Sequence, residues 1–335
     1  MIKEDKMNTL VHQTVSKIWR GEFVKAYIIT MRPYLLFVSG ITGIVGLAFA
    51  QGVSPLKAIF IFTASFLSYG FGQALTDCFQ VDTDSLSAPY RPLTQGIISK
   101  KQVLAVSILG LTFCISIFTY FNPFNLILGI IAGLGLATYT PFKRRWWGGP
   151  FYNAWIVTVL CLMSFLSCIH DSAKVFSITY VYAMTTIFFG YANFVLTGYF
   201  KDITADRATG YLTLPVVFGR NVASIVSDCF ALVMCVASVL TLLNFDFSSF
   251  QIVSLVLRIA FLATGVYSAV LGQIRLHNIT TDKEAHVAIS PMLHSYLLLL
   301  SGISCGMKPE WSVFLILFYI GFVLVLNKRP VNQQI

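Results

Sequence analysis

The sequence predicts an all-α protein, a polytopic bundle of nine or ten transmembrane helices. Apolar residues make up 56% of the 335-residue chain and charged residues only 11%. The mean hydropathy is +0.76. A chain of that composition cannot present its surface to water, which excludes soluble, disordered and collagen-like proteins. The apolar residues also fall into runs of about 20, the length that a spanning helix needs.

Ten such runs, taken in chain order, are predicted to be helices, because each comes near the length required to cross the hydrocarbon core. The runs are 34–51, 57–80, 102–121, 124–141, 151–169, 177–200, 221–243, 251–273, 286–304 and 311–326. The tenth run is the shortest, and it decides between nine and ten spans. No low-complexity linker separates the runs, so we expect one bundle.

The chain is expected to have three parts. These are a cytoplasmic or interfacial N-terminal segment, 1–30, the membrane bundle, 31–327, and a cytoplasmic tail, 328–335. Within the first part, apolar residues recur at helical spacing from Val11 to Trp19 beside basic residues. That pattern is typical of a helix lying on anionic lipid, and a solvated tail is the alternative.

Basic residues outnumber acidic ones by 23 to 14, and their positions indicate membrane topology rather than nucleic-acid binding. If the helices alternate in direction, 19 basic residues lie on the side of the N-terminus and three on the other side. Cytoplasmic loops carry such an excess, so we expect the N-terminus and its loops in the cytoplasm. Ten helices are favoured because they return Lys328 and Arg329 to that side.

Five of the 14 acidic residues lie at two places on the predicted cytoplasmic face. Asp77, Asp82 and Asp84 follow the second predicted helix and form the first acidic segment. Asp202 and Asp206 follow the sixth predicted helix and form the second acidic segment. Carboxylates grouped at the edge of a membrane repel one another, and a bound cation is the simplest reason for their grouping.

The spacing of these residues indicates magnesium. Asp202 and Asp206 are four residues apart, as are Thr76, Gln80 and Asp84, so each set shares one face if its helix continues through it. All five side chains carry oxygen, and none is His or Cys. Oxygen ligands of this kind favour Mg²⁺, which proteins usually hold through one or two carboxylates together with substrate phosphates.

Basic residues accompany both acidic segments. Arg91 follows the first, Lys201 precedes the second, and Lys143 begins a basic run between helices 4 and 5. Carboxylates, metal and cations together describe a clamp for a pyrophosphate group. The alternative is that these charges only cap helices and form surface ion pairs. That alternative explains two acidic segments on one face less well.

At these residues the chain resembles the UbiA superfamily of intramembrane prenyltransferases. The signatures of that superfamily are N-x-x-x-D-x-x-x-D after helix 2 and D-x-x-x-D after helix 6. The second is met by Asp202-Ile203-Thr204-Ala205-Asp206. The stretch Ala88-Pro89-Tyr90-Arg91-Pro92-Leu93 is similar to that of chlorophyll synthases and their relatives.

That alignment places Thr76, Gln80 and Asp84 on the three positions of the first signature, so two of the three depart from it. Asp77 or Asp82 can replace the missing carboxylate only if the backbone turns locally. The resemblance spans roughly residues 30–275, and a tenth helix is an addition to the usual nine.

The resemblance implies a central cavity, open to the cytoplasm and laterally to lipid, that takes an isoprenyl diphosphate held by Mg²⁺. The metal ligands are then Asp77, Gln80, Asp82, Asp84, Asp202 and Asp206, of which Asp84, Asp202 and Asp206 are catalytic. The diphosphate lies near Arg32, Thr76, Arg91, Lys143 and Lys201. The cavity is lined in part by Tyr139, Asn153 and Asn193.

We therefore expect an integral-membrane, magnesium-dependent prenyltransferase that joins an isoprenyl group to a lipid-soluble acceptor, with an aromatic compound as one option. An intramolecular terpene cyclase of the same fold is an alternative, because a changed metal set can accompany changed chemistry. A transporter or a non-catalytic scaffold is an alternative of another class. Transporters keep ionisable residues near the middle of the membrane, whereas these acids lie at helix ends.

Overall fold

The computed structural model describes residues 21–169, 177–243 and 252–329. Within these ranges the chain is helical and contains no β-strand. The α-helices are α1 Phe23–Met31, α2 Leu36–Phe49, α3 Pro55–Asp77, α4 Val81–Ser87, α5 Lys100–Phe121, α6 Asn125–Lys143, α7 Gly149–Leu166, α8 Ile178–Gly198, α9 Ile203–Ala208, α10 Leu214–Leu243, α11 Ile252–His277, α12 His286–Met307 and α13 Ser312–Asn327. The predicted interfacial stretch from Val11 to Trp19 lies outside the described ranges. Of the predicted tail, only Lys328 and Arg329 lie inside them.

The number of membrane spans agrees with the prediction. In the described ranges, nine helices are long and apolar enough to cross a bilayer, namely α3, α5, α6, α7, α8, α10, α11, α12 and α13. A bent pair, Phe23–Met31 with Pro33–Phe49, meets at 45° and makes ten if it forms one span. The prediction of an all-α bundle with nine or ten membrane helices is confirmed. The chain is an integral, multi-pass membrane protein.

The first predicted run, 34–51, is not one straight spanning helix. Helix α2 has 14 residues, which is about 21 Å at 1.5 Å per residue and short of a hydrocarbon core of roughly 30 Å. It is preceded by a 3₁₀ turn at Pro33–Leu35 and by Arg32, whose φ of 53° lies in the left-handed region. The bend follows from Pro33, which disfavours helical backbone at the residue before it.

The helices that lead to both acidic segments end at those segments. Helix α3 stops at Asp77, and Gln80, with φ −123°, separates it from α4. Helix α8 passes through a 3₁₀ turn at Tyr199–Lys201 to Asp202, with φ −112°, before α9. The expectation that one continuous helix carries each row of oxygen ligands is therefore wrong. The local turn that would let Asp77 take part in the site is present.

Helix α12 lies at the centre of the bundle. Most of its residues are buried, and it packs against α2, α8 and α11. The Tyr296 hydroxyl lies 2.8 Å from Thr42 Oγ1 on α2. On α8, Gly190 faces the Tyr296 ring so closely that a Cβ there would come within 2.8 Å of it. Small residues at such crossings let membrane helices approach one another closely.

The last helix, α13, packs across the crossing of α2 and α3. The Phe318 ring centroid lies 4.9 Å from that of Phe37 and 6.0 Å from that of Phe62. Phe322 is fully buried and stacks beside Phe37 and His294. This packing brings the C-terminal end of α13 to the end of the bundle where α3 reaches Asp77.

Candidate active site

A polar cavity of about 100 Å³ opens where α3, α6 and α8 end. It brings together eleven of the side chains that the sequence proposed for the site. They are Arg32, Thr76, Asp77, Gln80, Asp84, Arg91, Tyr139, Lys143, Asn153, Lys201 and Asp202. The first acidic segment thus meets Asp202 of the second, although more than 100 residues separate them in the chain.

Two arginines neutralise the carboxylates of the first acidic segment. Arg32 donates to both Asp77 oxygens at 3.0 Å, and Gln73 Nε2 donates to Asp77 Oδ1 at 2.6 Å. Arg91 forms an ion pair with Asp84 and lies 4.0 Å from Asp77. Burial raises the pKa of Asp84, but the charges of Arg91 and Arg32 outweigh burial and hold that pKa below its usual range. Asp84 is therefore ionised in a buried position.

In the second acidic segment only Asp202 faces the cavity. Asp206 is fully buried behind the wall, where its carboxylate accepts from Thr83 at 3.1 Å and from Thr213 at 3.3 Å. Burial raises the pKa of Asp206 to about 6, and the positive charge of Lys143 opposes that rise. Because Thr83 belongs to α4, Asp206 links the two acidic segments directly.

Lys143, at the end of α6, contacts both segments from within the cavity. Its Nζ donates to Gln80 Oε1 at 3.0 Å and lies 3.7 Å from Asp206 Oδ1. The ammonium group also lies 5.6 Å from the centroid of the Tyr199 ring. The Tyr199 hydroxyl is 2.8 Å from that of Tyr139. Lys143 is thus a buried cation surrounded by a carboxylate, an amide oxygen and aromatic rings.

Besides Asp206, two of the proposed residues do not line the cavity. Asp82 points out of the cavity and pairs with Arg144 at 2.8 Å, because two residues of helix carry it to the face of α4 opposite Asp84. Asn193 is buried between helices, where its amide accepts from Ser227 and contacts Met292. Interhelical hydrogen bonding, rather than a place in the cavity, accounts for Asn193.

The donor groups fit magnesium when phosphate oxygens complete its coordination. In the described part of the chain no group of three or more His, Cys, Asp or Glu side chains is close enough to hold a metal unaided. The cavity does present the carboxylates of Asp77, Asp84 and Asp202 and the amide of Gln80, all of them oxygen donors. Mg²⁺ is usually bound in this way, through few protein carboxylates and substrate phosphates.

An apolar cavity of about 90 Å³ adjoins the polar one. The two share five side chains, Tyr69, Gln73, Thr76, Asn153 and Tyr191. Beyond them, the apolar cavity runs between α3, α5, α6 and α7 and is lined mainly by Leu, Ile, Phe and small residues. A charged cavity therefore lies directly beside an apolar one.

Gln73 and Tyr69 also line this junction, although no motif in the sequence marks them. Gln73 lies one helical turn before Asp77 and bonds to it, so the four-residue spacing was the available signal. Tyr69 lies one turn earlier still, and its hydroxyl is 3.5 Å from that of Tyr191 on α8.

Comparison with known proteins places the chain in a family. The UbiA prenyltransferase family matches residues 38–297, more than three quarters of the sequence. The chain belongs to the UbiA prenyltransferase family. The predicted enzyme class, a prenyltransferase, is confirmed by this membership and by the names of the relatives.

Curated relatives of this UbiA-family protein include two archaeal enzymes. Digeranylgeranylglyceryl phosphate synthase of Thermococcus kodakarensis is 30% identical over 218 residues, which cover 64% of this chain and 77% of the relative. The enzyme of the same name from Thermococcus sibiricus is 27% identical over 221 residues, covering 65% and 77%.

Solved structures share the fold. A UbiA homologue from Aeropyrum pernix superposes with a TM-score of 0.67 at 15% identity, covering 81% of this chain and 97% of that one. A UbiA homologue from Archaeoglobus fulgidus, determined with DMAPP and Mg²⁺, gives 0.62 at 17% identity, covering 89% and 99%. At these identities the likeness establishes the fold alone.

Proposed function

We propose that this UbiA-family protein is a magnesium-dependent intramembrane prenyltransferase, which transfers an isoprenyl group from an isoprenyl diphosphate to a lipid-soluble acceptor. One observation carries the proposal: a cavity lined by Asp77, Asp84, Asp202, Arg and Lys adjoins an apolar cavity, with which it shares five side chains. An isoprenyl diphosphate has the same division between a highly charged head and an apolar chain.

The head of the substrate would be bound at the polar end. Asp77, Asp84 and Asp202, with Gln80, would hold Mg²⁺ together with the diphosphate oxygens, and bound Mg²⁺ would neutralise charge on the leaving group. Arg32 is paired with Asp77 and Arg91 with Asp84. Both guanidinium groups are therefore at the site and could exchange a carboxylate partner for a phosphate oxygen. Asp206 can reach the cavity only by releasing Thr83 and Thr213.

Lys143 and Lys201 would stabilise the departing diphosphate from the side of α6 and α8. Lys143 is held by Gln80 and Asp206 and needs no rearrangement to face the cavity. A cation that is fixed before the reaction stabilises developing negative charge more effectively than one that must move into place.

The chain of the substrate would lie in the apolar cavity. Tyr69 and Tyr191 stand at its entrance, where the allylic carbon would be placed. Aromatic rings there would exclude water and face the developing carbocation, which favours capture by the acceptor over hydrolysis.

The acceptor is proposed to come from the bilayer, since the protein is embedded in it. Relatives named for digeranylgeranylglyceryl phosphate support an aliphatic acceptor rather than an aromatic one. We place the polar cavity and the N-terminus on the cytoplasmic side, because the basic residues are concentrated at that end of the helices.

The test is a turnover assay in lipid nanodiscs with Mg²⁺, offering geranyl and geranylgeranyl diphosphate with and without lipid acceptors. We expect acceptor-dependent release of pyrophosphate and a prenylated product by mass spectrometry. Asp202→Asn should be inactive yet folded. A cyclised product formed without acceptor would support the terpene-cyclase alternative, and no Mg²⁺-dependent consumption of either diphosphate would refute the proposal.

A further inference from the structure

A further cavity, of about 220 Å³, has a mixed charged and apolar lining and lies beside the arginine–aspartate pairs. Arg32, Asp77, Asp84 and Arg91 line both this cavity and the proposed diphosphate cavity. The ion pairs Arg32–Asp77 and Arg91–Asp84 therefore form a wall between two chambers. The remaining lining comes from α1, the 3₁₀ turn at Pro33–Leu35, the loop at residues 90–94 and the C-terminal end of α13.

The end of α13 makes this chamber strongly cationic. Lys328 and Arg329 both line it, and apart from the shared Asp77 and Asp84 its lining contains no acidic residue. In the described part of the chain neither Lys328 nor Arg329 forms an ion pair. The Arg329 Nη1 atom is buried and has no hydrogen-bond partner there.

A buried guanidinium nitrogen without a partner is unfavourable, because its hydration is lost and nothing replaces it. Arg329 lies near Tyr34 and Tyr90, and burial lowers the pKa of its guanidinium group. An anion in the chamber would remove this cost. Arg, with its planar fork of donors, suits phosphate in particular.

The chamber also has an apolar side. Ile28, Ile29 and Val325 line it, and Ile28 and Ile29 are among the exposed large hydrophobic residues. The cations Lys328 and Arg329 therefore lie next to apolar side chains of α1 and α13, two helices of the membrane-spanning bundle. A ligand that fits both features carries an anionic head and at least one alkyl chain.

We propose that this chamber binds the phosphate head of an amphiphile through Arg329 and Lys328, with its chain lying along Ile28 and Val325. Two sources share this chemistry, a phosphate-bearing acceptor and a phospholipid of the bilayer. The match to the family ends at residue 297, so the two cations lie in the part of the chain beyond it.

The test is direct binding of dodecyl phosphate to the purified full-length protein in maltoside detergent, without Mg²⁺ or diphosphate. Arg329→Gln should weaken binding by about tenfold or more, in line with the loss of a charged hydrogen-bond donor. Val325→Trp should weaken it by filling the chamber while leaving both cations in place. Lys101→Gln, which removes an exposed cation at the same end of the bundle, is the matched control and should bind normally.

Equal binding by wild type, Arg329→Gln and Val325→Trp would overturn the proposal, as would an equal loss in Lys101→Gln. Because no turnover is measured, failure of the proposed prenyl transfer would leave this result unaffected. A thermal unfolding scan of each variant separates lost binding from lost folding.

The source is identified by turnover in nanodiscs, an arm that rests on the proposed function. If the ligand is the acceptor, Arg329→Gln raises the KM for a phosphate-bearing acceptor in phosphatidylcholine. If the ligand is a bilayer lipid, Arg329→Gln abolishes stimulation by phosphatidylglycerol and leaves that KM unchanged.

Discussion

Lys143 Nζ lies 3.0 Å from Gln80 Oε1, at the position where the family signature has a carboxylate. The same ammonium group lies 3.7 Å from Asp206 Oδ1. One buried cation from α6 therefore joins the two acidic segments before any substrate is present. With a neutral Gln at position 80, Lys143 is shared between one carboxylate and one amide. In the proposed function, this leaves more of its charge for the diphosphate.

The first prediction concerns this cation. Lys143→Met keeps most of the side-chain volume but removes the charge, and it should lower kcat by about 100-fold or more, the usual cost of removing a fixed donor to developing negative charge. Steady-state kinetics with saturating Mg²⁺ provide the measurement. Lys143→Arg, which keeps the charge, should retain more activity. Wild-type kcat in Lys143→Met would remove Lys143 from the reaction.

The second prediction concerns Gln80. An amide oxygen is a weaker ligand than a carboxylate, so Gln80→Asp should lower the Mg²⁺ concentration for half-maximal activity several-fold. Lys143 would neutralise the added charge when no metal is bound. Gln80→Asn is the matched control, because it shortens the side chain equally without adding charge. If the Mg²⁺ concentration for half-maximal activity is the same in both variants, Gln80 is not a metal ligand. A higher KM for the diphosphate in Gln80→Asp would then indicate that the added charge repels the substrate.

The third prediction concerns Asp282, which reaches the second acidic segment from the loop before α12. Its carboxylate accepts from the Thr204 backbone N–H at 2.7 Å and pairs with Arg220. It thus holds the turn between Asp202 and Asp206 in place. Asp282→Asn should raise the Mg²⁺ concentration for half-maximal activity and lower kcat by about tenfold, as expected when a hydrogen bond that supports a metal ligand is lost.

Glu284→Gln is the matched control for Asp282. Glu284 lies in the same loop and accepts hydrogen bonds from Thr280 and Thr281, and among the described residues none of its hydrogen bonds reaches Asp202–Asp206. Magnesium titrations and thermal unfolding are compared for the two variants. Equal effects on both readouts would mean that Asp282 only stabilises the loop.

The amino-acid sequence was sufficient to predict nine of the ten runs as spanning helices and eleven of the side chains that line the polar cavity. Long apolar runs predict spanning helices directly, because the length of a run must match the thickness of the bilayer. The resemblance to the family signatures locates the acidic segments. The breaks after Asp77 and before Asp202 were not predictable from periodicity, because each takes only a few residues and contains no proline. The orientation of Asp82 depended on one such break.

Asn193 shows a second limit of sequence reasoning. An amide in an apolar segment can face a cavity or a neighbouring helix, and the choice depends on which residues the other helices present. Here Ser227 and Met292 meet it, and neither is marked by any motif. Gln73 is the opposite case. It lines the cavity, but a single amide within an apolar helix gives no sign in the sequence that it does so.

The fourth prediction is that the N-terminus, the polar cavity and the C-terminus all lie on the cytoplasmic side. Lys328 and Arg329 line the same chamber as Arg32 and Asp77, so α13 returns the chain to the end of the bundle that holds the site. Basic residues concentrate at that end, and the positive-inside rule assigns it to the cytoplasm. A reporter fused after Ile335 should therefore be cytoplasmic, and one inserted at Asn122, between α5 and α6, should be external. If both reporters reverse, either the whole bundle is inverted or the bent pair of α1 and α2 does not span. If only the reporter after Ile335 is external, the seven long helices that follow Asn122 do not all span, and α13 is the one whose span the sequence left in question.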